Sequence, residues 1–193
     1  MADDSTLETS LAPDDRRQLL AIAKESVSHG LTHHRPLPVE AAAFPPSLQA
    51  VRASFVTLRI GAELRGCIGM LTAKRALITD VAENAFAAAF RDNRFRPVSE
   101  YEFHLLNYHI SVLSPSQAMT VTSQDDLLAQ LRPGIDGLII EEPPRRATFL
   151  PDVWQTVPQP TQFLSQLKLK AGFDVNYWSD RIKVWRYTTE SFE

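Results

Sequence analysis

Cys67 is the only cysteine among the 193 residues of this sequence, and it lies in the run Leu64-Arg65-Gly66-Cys67-Ile68-Gly69. Because a lone thiol forms no intrachain disulfide, it is either a small buried apolar group or a reactive one. In an extended run alternate side chains share a face, which places Arg65 on the side of Cys67. A neighbouring cation favours the thiolate, the form that acts as a nucleophile. We therefore predict a nucleophilic Cys67, with a buried structural cysteine as the alternative.

Five further residues are predicted to bind a ligand near this thiol. The glycines before and after the cysteine allow a ligand or a backbone to approach closely, although a tight turn would use them equally well. An arginine cluster that follows an alanine-rich segment would bind an anion, or it would be a solvated helix end that cations favour. The amide of Asn84, if buried, needs hydrogen-bond partners, either as a site residue or as a local anchor. The predicted ligand-binding residues are Arg65, Gly66, Gly69, Asn84 and Arg94.

No general base can be identified from the sequence, since His104 and His109 would have to be brought to Cys67 by folding. A hydrogen-bonded or solvated histidine is the simpler reading of His109, which shares the polar side of its strand with other polar residues. A metal site is not predicted, because His33 and His34 point apart in an extended chain and zinc needs three or four convergent ligands. The cysteine run also lacks the lysine and serine that end a phosphate-binding P-loop. We accordingly expect neither a metal nor a cofactor.

The composition, with 44% hydrophobic and 22% charged residues, is typical of a soluble globular protein. A formal net charge of −3 provides no broad cationic surface for nucleic acid. The apolar runs are far shorter than the ~20 residues that cross a bilayer, and the first ten residues lack the pattern of a secretory signal. With the single cysteine, these features indicate a cytoplasmic location. We expect a disordered tail over residues 1–12 and a single domain over residues 13–193.

Helical and strand-like segments alternate irregularly along the chain. A helix is predicted to begin at Pro13 and to be closed by Gly30, and the proline-rich residues 32–46 should form an extended connector. Further helices are expected at residues 75–91, 123–131 and 159–171, and strands at residues 53–60, 64–71, 105–113, 137–142, 147–150 and 181–188. Because at least two of the strand pairs read as hairpins, this order favours an α+β fold with a mainly antiparallel sheet.

Six motifs of this sequence resemble those of the AMMECR family, which is also called protein A of the AmmeMemoRadiSam system. The motifs are FVTLRIGAELRGCIGML (55–71), ENAFAAAFRDNRF (83–95), ISVLSP (110–115), DGLIIEE (136–142), TFLPDVW (148–154) and FLSQLKLKAGF (163–173). The resemblance covers residues 55–192 and implies an α+β fold with two lobes of unequal size and a cleft between them. It makes the cysteine run the hallmark of the family, and it matches Asn84, Asp92, Arg94 and Phe95 to a helix–loop motif.

The resemblance implies partners but no reaction. The partners are a Memo-type metal-binding, dioxygenase-like protein and a radical S-adenosylmethionine enzyme. Two functions therefore stay open: a cysteine-dependent enzyme or enzyme accessory, and a non-enzymatic adaptor that binds a small ligand or a protein. Three positions depart from the family pattern, with Asn93 in place of a proline, Ala147 in place of a glycine and Lys168 in place of a second cysteine. The last departure excludes a mechanism that needs two cysteines of one chain.

Overall fold

The structure, a computed structural model, describes residues 10–193. The chain forms two compact units, one from the chain up to Leu113 together with Glu190–Glu193, the other from Ser114–Thr189. The first unit contains α1 (Pro13–His33), a 3₁₀ turn (Ala41–Ala43), α2 (Pro46–Gln49), β1 (Ser54–Ile60), β2 (Glu63–Gly69), α3 (Leu77–Phe90), α4 (Glu100–Phe103) and β3 (Leu106–Leu113). The second contains β4 (Gln117–Met119), α5 (Gln124–Gln130), β5 (Gly137–Glu142), β6 (Arg145–Phe149), a 3₁₀ turn (Pro151–Gln155), α6 (Pro160–Ala171) and β7 (Lys183–Tyr187). The last strand, β8 (Thr189–Phe192), returns to the first unit.

The strands form two separate four-stranded sheets, in the orders β2-β1-β3-β8 and β4-β7-β5-β6. Neighbouring strands are antiparallel in β1–β2, β1–β3, β4–β7, β5–β6 and β5–β7. The expected α+β class and its antiparallel pairing are therefore confirmed, although the strands divide between two sheets, one in each unit.

The first sheet has one face covered by helices and one that is not covered by α1 or α3. Along β1, Ser54, Val56 and Leu58 are fully buried, whereas Phe55 and Thr57 between them are partly exposed. The buried side chains pack with α3, whose alanines allow a close approach, and α3 in turn packs on α1. Period-two alternation thus decides which residues of β1 enter the core and which ones lie on the opposite face.

The first helix is longer than the sequence indicated, and Gly30 does not close it. The helix ends at His33, and His34 adopts the left-handed conformation with φ 55° while its N–H donates to the Gly30 carbonyl. A β-carbon on Gly30 would lie 2.7 Å from the Phe86 ring. Gly30 is needed because α3 packs against it, and the left-handed capping conformation is adopted by His34 instead.

A disordered tail is expected over residues 1–12, and the first nine of these lie outside the described residues. Of the remaining three, Leu11 is 4% exposed and belongs to the hydrophobic core, and its N–H donates to the Glu190 carboxylate at 3.0 Å. The expected extended connector also contains structure, because the end of α1, a 3₁₀ turn and the first residue of α2 fall within it. Elements this short have too few residues for a periodic pattern, and for that reason α2, α4 and β4 were not predicted.

The second unit buries a lysine. Lys168, on α6, is 1% exposed; its Nζ donates to the Gln124 side chain and to the Val175 carbonyl, and lies 5.6 Å from the centre of the Trp178 ring. Burial lowers the pKa of this amine, because desolvation disfavours the ammonium form. The residue that stands where the resemblance expects a cysteine is therefore part of the core of this unit.

Candidate functional site

The cysteine run is the second strand of a β-hairpin that contains a bulge. Gly61, with φ 59°, makes the turn between β1 and β2 as the sequence predicts. Thr57 lies opposite Cys67, and Leu58 opposite Gly66, but Arg59 lies opposite Leu64. Arg65 is thus the extra residue of a bulge, which redirects its side chain relative to a regular strand.

The main chain of Cys67 is held on its outer side by a charged pair. Strand β2 is an edge strand, so alternate N–H and C=O groups point away from the sheet. The Cys67 N–H donates to Asp92 Oδ2 at 2.9 Å, and Arg94 Nη2 donates to the Cys67 carbonyl at 3.2 Å. Asp92 and Arg94 also bond to each other, with Nη2 2.6 Å from Oδ2 and Nε 2.9 Å from Oδ1. The loop after α3 therefore occupies the polar groups of the sheet edge at this one residue.

The sulfur lies on the sheet face that α1 and α3 leave uncovered. Thr57 Oγ1 donates to Cys67 Sγ at 3.1 Å. Since both polar main-chain groups of Cys67 face away from β1, the Thr57–Cys67 pair is of the non-hydrogen-bonded type, in which side chains approach most closely. A hydroxyl that donates to sulfur stabilises the negative charge of a thiolate. The side chain is partly buried, so its position is fixed without being sealed from solvent.

His109 lies in the same row of this face. Thr57 is paired with Cys67 on one side and with His109 on the other, so the three side chains occupy one line across β2, β1 and β3. Neighbouring strands are about 4.8 Å apart, which separates the backbones of Cys67 and His109 by roughly 10 Å, with Thr57 between them. His109 Nδ1 lies 4.0 Å from a Glu193 carboxylate oxygen. The second histidine considered, His104, ends α4, and its ring packs edge-on against Phe103.

Arg65 is held by α4. Its Nε donates to Glu102 Oε1 at 2.7 Å, and its Nη2 donates to Glu102 Oε2 at 3.1 Å and to the Arg96 carbonyl at 2.8 Å. The guanidinium carbon also lies 5.9 Å from the centre of the Phe95 ring. These contacts orient the guanidinium toward α4 and the loop before it. They do not support the predicted interaction of Arg65 with the Cys67 thiol.

The two predicted glycines lie where other atoms approach them closely. A β-carbon on Gly66 would collide with the Ala88 carbonyl oxygen of α3, and one on Gly69 would collide with the Ser54 carbonyl and the Phe55 ring. Gly66 is therefore the point at which α3 packs on the edge strand, and the packing alone requires a residue without a side chain.

Asn84 belongs to a buried hydrogen-bond network. Its Nδ2 donates to the Ser54 carbonyl at 3.0 Å and to Asp80 Oδ2 at 2.9 Å. Asp80, which is 1% exposed, also accepts from the Ser54 N–H at 2.9 Å, from the Ser54 hydroxyl at 2.7 Å and from Arg75 Nε at 2.9 Å. The network fixes α3 to the start of β1, so the anchoring role that the sequence left open for Asn84 has its partners in the structure.

The electrostatics of the site are dominated by two ion pairs. Hydrogen bonds from Arg94 and from the Cys67 N–H hold the pKa of Asp92 well below its usual range, and the same pair raises the pKa of Arg94. Hydrogen bonds from Arg65 and the Ser99 N–H lower the pKa of Glu102 to about 2. Both carboxylates are therefore ionised at neutral pH. Of the five predicted ligand-binding residues, Arg94 is the one with a largely accessible charge, since 53% of its side chain is exposed.

Reasoning from the residue types did not predict Thr57 or Glu102 as part of this region. The hairpin register could have identified Thr57, but the bulge at Arg65 shifts the pairing and cannot be counted from the sequence. Glu102 pairs with Arg65 across 37 positions, and only the capping pattern Ser99-x-x-Glu102 marks it as the third residue of a short helix. Within residues 10–193, no group of three or more histidine, cysteine or acidic side chains is arranged to hold a metal ion.

Comparison with known proteins identifies the family of the chain. The model of the AMMECR1 family matches residues 20–192. The chain belongs to the AMMECR1 family. Among similar proteins, one from Methanothermobacter thermautotrophicus is 31% identical over 188 residues, which cover 94% of this chain and 95% of that protein. Protein MJ0810 from Methanocaldococcus jannaschii is 33% identical over 78% of this chain and 77% of its own length.

A similar solved structure supports the architecture. The crystal structure of the uncharacterized protein PH0010 from Pyrococcus horikoshii superposes with a TM-score of 0.80 at 28% identity, over 90% of this chain and 88% of that one. Membership of the AMMECR1 family, expected from the motifs, is thereby confirmed together with the α+β fold. No helix in the described part of the chain is long and apolar enough to cross a membrane.

Proposed function

We propose that this AMMECR1-family chain is a cysteine-dependent enzyme or enzyme accessory in which Cys67 is the nucleophile. The proposal rests on the hydrogen bond from Thr57 Oγ1 to Cys67 Sγ, at 3.1 Å, on a residue whose N–H and carbonyl are both held by the Asp92–Arg94 pair. A sulfur that is fixed in position and accepts a hydrogen bond is ready to attack, because the donor stabilises the thiolate.

The exposed part of the Cys67 thiol supports attack on an electrophilic carbonyl carbon. Cys67 Sγ, as the thiolate, forms a bond to that carbon, the bond to the leaving group breaks, and the leaving group takes up from solvent the proton that the thiol released. Water then hydrolyses the thioester, which restores the thiol and releases the acid. Arg94, whose guanidinium remains half exposed beside the Cys67 carbonyl, would attract an anionic group of the substrate.

The test compares two substitutions that differ in a single hydroxyl. Thr57→Val keeps the shape of the side chain but loses the donor, whereas Thr57→Ser keeps the donor. One hydrogen bond to sulfur, at about 1 kcal/mol, corresponds to roughly a fivefold change in rate. We expect iodoacetamide to alkylate Cys67 at pH 7 about five times more slowly in Thr57→Val than in the wild type, and at a nearly unchanged rate in Thr57→Ser. Cys67→Ser provides the background rate.

Two results would remove the basis of the proposal. The first is equal alkylation rates in Thr57→Val, Thr57→Ser and the wild type, because the hydroxyl would then have no effect on the sulfur. The second is alkylation of Cys67 only after denaturation, which would make the residue a packed structural cysteine, as the alternative reading of the sequence holds.

A second candidate function is protein binding, and a group of exposed apolar side chains favours it. Tyr101 is 79% exposed, Leu105 44% and Leu64 37%. Arg65 and Glu102 form the ion pair that joins α4 to β2. In the sequence, Leu64 is next to Arg65, Tyr101 is next to Glu102, and Leu105 follows Glu102 by three positions. Exposed aromatic and aliphatic side chains are the kind that anchor a partner protein when they form one surface.

We propose, as the partners of that surface, the Memo-type protein and the radical S-adenosylmethionine enzyme that the resemblance implies. Size-exclusion chromatography of the chain mixed with a Memo-type protein, at concentrations of tens of micromolar, should give a complex that Tyr101→Ser weakens and Tyr177→Phe, in the second unit, does not. Separate elution of the two proteins, or equal elution of both variants with the partner, would contradict this function.

A further inference from the structure

The second unit contains a cavity of about 360 Å³ that is unrelated to the cysteine strand. One side is formed by the turn between β5 and β6, from Glu142 to Arg145, and the other by Phe173, Tyr177 and Arg181, which follow α6. The volume lies at the lower end of the range found for small-molecule sites, and it suits a single ring with one substituent.

The aromatic part of the cavity is flat and ordered. The rings of Phe173 and Tyr177 are stacked, with centres 5.2 Å apart and planes inclined by 3°. Arg145 extends over Phe173, with its guanidinium carbon 5.2 Å from the ring centre. Phe173 is 3% exposed, whereas Tyr177 is only partly buried, so Tyr177 and the prolines of the turn offer the apolar surface that a ligand can reach.

The charge of the cavity favours an anion, although one carboxylate lines it. Glu142 Oε2 accepts hydrogen bonds from the Tyr177 hydroxyl at 3.1 Å and from the Ser179 hydroxyl at 3.0 Å, and Oε1 lies 2.8 Å from Arg181 Nη2. Both oxygens of Glu142 are therefore engaged. The two arginines face the cavity with exposed side chains, and 80% of the Arg181 side chain is accessible. An arginine has five N–H donors, so Arg181 retains donors for a second acceptor.

We propose that this cavity binds a small aromatic carboxylate. The ring packs on Tyr177 and on the two prolines of the turn, and the carboxylate accepts hydrogen bonds from Arg145 and Arg181. Binding at this site involves no group of the Cys67 region and is independent of the thiol chemistry proposed above. The pairing of a flat apolar surface with two guanidinium groups selects a planar anion over a neutral ring or a bare ion.

The test uses 4-fluorobenzoate as the probe and the full chain as the protein. Binding is measured by fluorine NMR titration, with 4-fluorobenzyl alcohol as the neutral analogue. Arg181→Ala and Arg145→Ala each remove one donor to the carboxylate and should weaken 4-fluorobenzoate binding about tenfold or more, since a hydrogen bond to a charged group is involved. Arg146→Ala is the matched control: Arg146 is adjacent to Arg145, points to the other face of β6 and lies 3.3 Å from Glu141.

Saturable binding of 4-fluorobenzoate that Arg145→Ala and Arg181→Ala weaken, and that Arg146→Ala leaves unchanged, would support the site. Because 80% of the Arg181 side chain is exposed, Arg181→Ala should keep the fold and can be measured even if Arg145→Ala unfolds. No binding up to tens of millimolar, equal binding of the alcohol, or an equal effect of Arg146→Ala would overturn the proposal.

Discussion

The ion pair at the edge of β2 leads to a quantitative prediction for Asp92→Asn. Asp92 is 3% exposed in its side chain and accepts four hydrogen bonds, two at each oxygen. Oδ2 accepts from the Cys67 N–H and from Arg94 Nη2, and Oδ1 accepts from the Arg94 N–H and Nε. Because the asparagine amide is a donor, it must face two other donors in either orientation.

The expected loss of stability depends on whether each donor finds another acceptor after the substitution. Hydrogen bonds to a charged group contribute about 1.5–3 kcal/mol each. Arg94 is half exposed and regains hydrogen bonds to water, so most of its share is recovered, whereas the part-buried Cys67 N–H loses its acceptor. We therefore expect Asp92→Asn to lower the free energy of unfolding by about 2–3 kcal/mol, less than the 3–5 kcal/mol for breaking a fully buried pair.

Urea unfolding followed by circular dichroism measures the total change, and hydrogen exchange of the Cys67 amide assigns it to the edge of β2. The local measurement is needed because a chain of two compact units need not unfold in a single step. Glu63→Gln, at an exposed position of the same strand, should stay within about 0.5 kcal/mol of the wild type. A wild-type unfolding curve for Asp92→Asn, with the Cys67 amide still protected, would refute the role assigned to this ion pair.

Three further predictions follow from the packing and the charges. Asp92 and Glu102 have lowered pKa values in the folded state, so their contribution to stability is complete above the unfolded value of about 4 and is lost as the pH falls toward 2. The melting temperature should therefore fall between about pH 4 and pH 2, and it should fall less steeply in Glu102→Gln. The same acid slope in Glu102→Gln and the wild type would contradict the role of this carboxylate. Gly66→Ala places a methyl group against the Ala88 carbonyl and should destabilise the chain by about 3 kcal/mol. Gly61→Asn is the control, because Gly61 lies in open space with φ 59°, which asparagine tolerates, and it should destabilise the chain by about 1 kcal/mol or less. Similar melting temperatures for the two variants would count against the close approach of α3. Burial lowers the pKa of Lys168 in the folded state, so the unfolded chain binds more protons between that lowered value and the unfolded value of about 10.4. Stability should therefore rise with pH within that window. Lys168→Met should reduce this rise, and a stability profile as steep as that of the wild type would show that the amine is not desolvated.

The sequence alone determined those features that depend on neighbouring residues. The β1–β2 hairpin follows from a strand-forming run, a glycine at the turn and a second run, which lie close together along the chain. The long helices α3 and α6 follow from apolar positions at a helical period, and the structure places their ends within two residues of the predicted ones. Six ordered motifs were sufficient to identify the AMMECR1 family, because a family pattern records many positions at once.

Tertiary structure decided the contacts on which the site depends, because those contacts join residues that are far apart in sequence. The bulge at Arg65 directs its guanidinium to Glu102, 37 positions later, and Asp92 reaches the Cys67 N–H from 25 positions away. Thr57 and His109 come into one row with Cys67 only through the register of three strands. The glycines of the cysteine motif are explained by the approach of α3, which is a property of packed backbones. A single sequence specifies which groups are present. Which of them come into contact depends on the free energy of packing, which is a sum of interactions over the whole chain.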